Sequence, residues 1–170
     1  MRDQLQRIEA LRDALLTEVD AAPEASRRRR PSPAAWSAVE VVEHLVLAER
    51  VVLGPRAQWG DRPGASRSLR DRMRYYVVRL VLQQRIKVTI PSAQMRPSGR
   101  VPFAQLRMAW IAQQEALREF VLSLDAAGAK RAIFHHPIAG PLTVPQALQL
   151  LEAHLRGHAA QVHRLLTEAE

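Results

Sequence analysis

The feature that most constrains this chain is its last long periodic stretch, Thr143 to about Glu168, where apolar residues recur at the spacing of an α-helix. At 100° per residue, Ala147, Leu148, Leu150, Leu151, Leu155, Val162, Leu165 and Leu166 share one continuous arc, and His154 and His158 fall inside it. Gln149, Glu152, Arg156 and His163 lie opposite and read as a solvated face, with His163 an ordinary surface residue. Thr143 can cap the helix, Pro145 suits its first turn and Gln146 completes a Thr-x-x-Gln capping box. The register is therefore well defined.

Two imidazoles four residues apart on a helix have Cβ atoms roughly 5–6 Å apart, close enough for both rings to reach one ion. The alternative is a pair of buried neutral histidines, each satisfied by a hydrogen bond, and for an isolated pair that is the better reading. A third inward ligand reverses the preference.

The third comes from an earlier helix. Ser37-Ala38-Val39-Glu40 is a capping box that opens a helix running to about Leu53, where Gly54-Pro55 stops it. His44 has Val41, Leu47, Ala48 and Val51 around it, Glu43 and Arg50 take the polar side, and Glu40 sits one turn before His44. Three inward histidines on two helices match the ligand count of a catalytic zinc-type site.

Three more helices follow from apolar spacing: residues 2–22 through Leu5, Ile8, Leu11, Leu15 and Val19; Leu69 to Val88; and Phe103 to Leu124 through Leu106, Trp110, Leu117 and Phe120. On the Leu69 helix the expected inward stripe is Leu69, Met73, Tyr76, Val77, Leu80 and Val81, with Arg70, Arg72, Arg74, Arg79 and Arg85 outside. Such a basic amphipathic helix can also lie on anionic lipid, but the stripe is read as core. Trp59 to Ser66, Ile90 to Pro102 and Phe134 to Gly140 read as loops, and no strand pattern or internal repeat stands out. His135 and His136 can contact a substrate from the last of these loops, although a structural turn is the preferred reading.

Length and composition narrow the function classes. The 170 residues fit one domain, 1–170, with a single core. The absence of cysteine removes disulfides, thiolate ligands and any protein-borne thiol nucleophile, so thiol chemistry would need an external thiol. No apolar run reaches membrane-span length and the N-terminus lacks a signal-peptide core, which gives a cytoplasmic expectation. The net charge of +8 is concentrated in 50–107, where thirteen Lys or Arg face only Asp61 and Asp71, a pattern that attracts an anionic partner. The run Arg27-Arg28-Arg29-Arg30 lacks interleaved aromatics and reads as a solvated loop rather than a nucleic-acid contact.

Trp36-Ser37 with Glu40 and His44-Leu45, then His136-Pro137 with Gly140 and Leu142-Thr143, then His154, His158 and Gln161, resemble the DinB-like (YfiT-like) metal-binding proteins over nearly the whole chain. The resemblance implies an all-α fold, a four-helix bundle with long connecting loops, a plausible homodimer, and a divalent metal held by His44, His154 and His158. Gly157 departs from the arginine common in the family before the second histidine. Family activities include metal-dependent transfer of bacillithiol or mycothiol onto electrophiles, with related isomerase and hydrolase reactions. The leading expectation is thus zinc or nickel with an external low-molecular-weight thiol and a small-molecule electrophile. Gln161 would orient a ligand or a histidine nitrogen, and Glu40 would accept from His44. The alternatives are a metal-dependent hydrolase using bound hydroxide, and a non-catalytic metal-binding or interaction protein of the same fold.

Overall fold

The computed structural model describes residues 1–84 and 92–167. In them the chain forms seven helices and one hairpin: α1 (Arg2–Ala21), α2 (Glu24–Arg28), α3 (Ala38–Leu53), α4 (Leu69–Gln83), α5 (Phe103–Ser123), α6 (Ala126–Lys130), β1 (Ala132–His136), β2 (Gly140–Thr143) and α7 (Val144–Thr167). α1 packs on α7, α7 on α3, α3 on α5 and α5 on α1, so these four long helices touch in a cycle, while α4 packs on α7 and β2. The expected helix ends at Val88 and Glu168 lie outside the described residues, as do Arg85 and the Ile90-Pro91 start of the second loop.

α3 is the buried axis. Its apolar content runs almost all round, and Val39, Val41, Val42, Leu45, Val46, Ala48 and Val52 are all covered. Ser37 accepts from the Glu40 N–H at 3.3 Å while Glu40 accepts from the Ser37 N–H at 2.9 Å, completing the expected capping box. Gly54 stops the helix with φ 66, and the Trp59 indole donates to the Leu53 carbonyl at 2.9 Å. Glu43 is buried rather than solvated, because the segment before α5 folds over it.

The expectation of a wholly helical chain is corrected by the antiparallel pair β1 and β2, which aligns Phe134 with Leu142 and His136 with Gly140. Ile133 and Phe134 suit a strand and are buried. Gly140 takes φ 73 close to Asp71, where a Cβ would lie 3.0 Å from a carboxylate oxygen. The segment read as a turn-rich connector is thus a hairpin that delivers the chain into α7.

The largest correction concerns α4. Leu69, Met73, Tyr76, Val77 and Leu80 face outward, and the buried positions are Tyr75 and Val78. A helix wheel locates an apolar stripe but not the neighbour that covers it; α4 lies beside the cycle of long helices and meets α7 through its other side. On α7, Gln149 and Glu152 are correspondingly half-buried rather than solvated. The Tyr75 hydroxyl bonds Gln149, and Glu152 accepts from Arg7 at 3.0 Å and Arg156 at 2.7 Å.

The four arginines after α1 are also not simply solvated. Arg27 stacks over Phe103 with its guanidinium carbon 5.3 Å from the ring centroid, Arg28 pairs with Glu24 at 3.1 Å, and Arg30 pairs with Glu40. The linker itself contains α2.

Candidate metal centre

His44 sits near the middle of the buried helix, and His154 and His158 lie one turn apart on the side of α7 that faces it. The fold brings all three together, with one ligand atom from each within 4.8 Å of the others. His44 Nε2 lies 3.3 Å and His158 Nε2 lies 3.1 Å from His154 Nε2. Two donors held at zinc–nitrogen distances in a tetrahedral site would be roughly 3.3–3.4 Å apart, so these spacings fit a shared ion.

His44 Nδ1 lies 2.8 Å from the Met95 carbonyl, which can only accept, so Nδ1 carries the hydrogen and Nε2 presents a lone pair. His158 Nδ1 lies 2.8 Å from Gln161 Oε1 with the same result. Two lone pairs therefore converge on His154 Nε2, which holds at most one hydrogen. At least one of the two close pairs sets lone pair against lone pair, unless a cation or an added proton lies among them.

An added proton is disfavoured. Burial, followed by the neighbouring histidines, pushes His154 well below the ordinary 6.5. Burial and His44 push His158 to about 4, against the favourable bond from Gln161. Burial lowers His44 too, partly offset by the Met95 carbonyl. Neutral, convergent imidazoles, two of them with fixed tautomers, are the kind of donor set that a divalent ion requires.

Gln161 reaches His158. Glu40 does not serve as the acceptor of His44; it caps α3 and binds Arg30, and the Met95 carbonyl takes the His44 hydrogen instead. His136 is half-buried, and its Nδ1 accepts from the Ile138 and Ala139 N–H groups, both at 3.1 Å, so this nitrogen holds the hairpin turn. Burial and then His135 bring His136 to about 4, and it lies close enough to His154 to oppose that ring's protonation.

Three contributors had been given no role at the site, although Trp36 is among the residues that carry the family resemblance. Trp36 packs on the His44 ring with centroids 4.8 Å apart. Met95 acts through its backbone, which no residue type signals. Glu43 holds the Met95 segment, accepting from the Ser98 N–H at 2.9 Å, the Ser98 hydroxyl at 2.7 Å and the Gly99 N–H at 2.9 Å. Gly99 has φ 70, and a Cβ there would come within 2.9 Å of Glu40.

No curated protein matches the chain. The family model of the DinB superfamily matches residues 7–162, from the first turns of α1 to beyond the second histidine of α7. That span takes in the long helices and the His44, His154 and His158 cluster, and on that match the chain belongs to the DinB superfamily.

Proposed function

We propose that this protein is a divalent-metal-dependent enzyme that transfers an external low-molecular-weight thiol onto a small electrophile. The observation that carries the reading is the meeting of three imidazole nitrogens, two of them forced to present lone pairs by Met95 and Gln161. His44, His154 and His158 would hold zinc or nickel. Because none of the three is anionic, the ion would keep its full dipositive charge and favour the anionic, nucleophilic form of a thiol or water offered to it near neutral pH. The chain has no cysteine, so the sulfur must come from the cosubstrate. His136 and Trp36 are the nearby side chains that would border the reactants. We read residues 1–170 as one domain in which α1, α3, α5 and α7 form a four-helix bundle that fixes the three rings.

Two measurements test this. Elemental analysis is expected to find about one ion per chain, as three ligands for one site require, and far lower occupancy in His44→Ala and His154→Ala. Purified protein should consume a thiol together with a model electrophile, and chelation should stop it. Equal rates before and after chelation would remove the transferase reading, whereas chelation-sensitive turnover without thiol would favour hydrolysis.

A further inference from the structure

Of the nine large hydrophobic residues that stand exposed among the described residues, five lie on α4. Leu69 is 75%, Met73 60%, Tyr76 61%, Val77 57% and Leu80 56% exposed. Their spacing places them on one stripe along a helix of 15 residues, so they form a patch rather than scattered surface residues. At 100° per residue, the exposed Arg70 and Arg74 border the stripe on one side and the exposed Arg72 on the other, while the half-buried Arg79 turns toward the groove it shares with Gln149 and Glu152 of α7. Asp71, the only acid of α4, lies on the opposite side and is engaged in the capping box with Ser68. The outward side of α4 is therefore apolar along its middle, bordered by arginines on both edges, and carries none of the helix's own carboxylates.

The charge of that face selects among occupants. A second copy related by a two-fold axis would set Arg70, Arg72 and Arg74 against their own equivalents, with no acid on this helix face to receive them. A nucleic acid would engage the arginines and leave the aliphatic chains without a use. A bilayer surface with anionic headgroups satisfies both parts: the stripe enters the acyl boundary, Tyr76 sits at the interface with its hydroxyl toward water, and the guanidinium groups reach headgroup phosphates. The surrounding segment agrees, because 50–107 carries thirteen basic residues against two acidic ones. No described helix is long and apolar enough to cross a membrane, so the contact would lie in the interface plane.

We propose that α4 is an interfacial helix that seats this protein reversibly on bilayers bearing anionic lipid. The inference does not depend on the chemistry of the histidine cluster.

The test is flotation of the full chain with vesicles of phosphatidylcholine alone and of phosphatidylcholine mixed with phosphatidylserine. Binding is expected to the mixed vesicles only and to weaken with added salt. Met73→Ser combined with Leu80→Ser should lower it by about tenfold or more. Arg70→Gln combined with Arg74→Gln should lower it by about fivefold for each charge removed. All four side chains are exposed, and circular dichroism would check that both variants keep the parent's helicity. Failure to bind anionic vesicles, or equal binding by parent and both variants, would overturn the proposal. So would a dimer in sedimentation that the Met73/Leu80 variant dissolves while vesicle binding is absent.

Discussion

Gln161 decides which nitrogen of His158 meets its neighbours. Its Oε1 receives the Nδ1 hydrogen at 2.8 Å, which leaves Nε2 as the inward donor. Gln161→Leu keeps the volume and removes the acceptor, so the ring can turn or change tautomer. Metal affinity, measured by competition with a chromophoric chelator, should fall by about 10–100-fold, the usual effect of losing such an outer partner. Gln161→Glu, which still accepts, should restore most of it. A packing role would give the opposite order, with leucine tolerated and glutamate harmful. This part of the site was legible in the sequence because the three histidines and Gln161 are side chains at helical spacing on strongly periodic segments. The Met95 carbonyl was not, since any residue could supply it, and neither was Glu43, whose acceptors' partners come from an irregular loop.

At the scale of elements, α3 and the segment 92–100 behave as one unit. Glu43 takes three hydrogen bonds from Ser98 and Gly99, and that anchorage fixes the short turn holding Met95 against His44. Glu43→Ala should cost about 2 kcal/mol, the scale of hydrogen bonds to a charged group. It should also speed amide exchange at Ser98 and Gly99 and weaken metal binding, even though Glu43 is not itself a candidate ligand. Unchanged exchange at those amides would show that the segment is held by packing alone. The long helices were readable from capping boxes and apolar spacing, while the short helical turn Ala93–Met95 was read as loop and the covered face of a helix was not readable. For α3 the covering is nearly complete, so a glutamate on its apparent polar side is buried. For α4 it is partial, and the wide apolar stripe is left outside. The hairpin went unread because β1 and β2 span only five and four residues and Pro137, Gly140 and Pro141 resemble a loop.

Across the molecule, one buried carboxyl group ties three of the long helices together. Glu49 on α3 accepts from the Trp110 indole at 2.8 Å and from Gln114 at 3.0 Å, both on α5, and Gln114 accepts from Arg12 of α1 at 3.2 Å. Among the described residues the second carboxyl oxygen, Oε1, makes no close hydrogen bond, although the Gln113 side chain lies near enough to favour the ionised carboxylate. Burial raises the Glu49 pKa above its ordinary 4.5, against the lowering effects of Gln114, Trp110, Gln113 and Arg12. A raised value in the folded state means that the native protein holds more protons than the unfolded chain above pH 4.5, so stability falls as pH rises through the folded value. The depressed histidines act in the opposite sense, because His136 and His158, at about 4, add stability as pH climbs from there to 6.5. Comparing metal-free parent with metal-free Glu49→Gln cancels the histidine contribution. The difference in thermal midpoint should widen in favour of the glutamine variant as pH rises above 4.5. A gain of ~1 kcal/mol near neutrality would appear as about 2–4 °C in a chain of this size. Glutamine keeps an oxygen to accept from Trp110, so the bridge between α3 and α5 survives the change. Curves that stay parallel over the whole range would mean that Glu49 ionises in the folded protein as freely as in the unfolded chain, which its burial argues against.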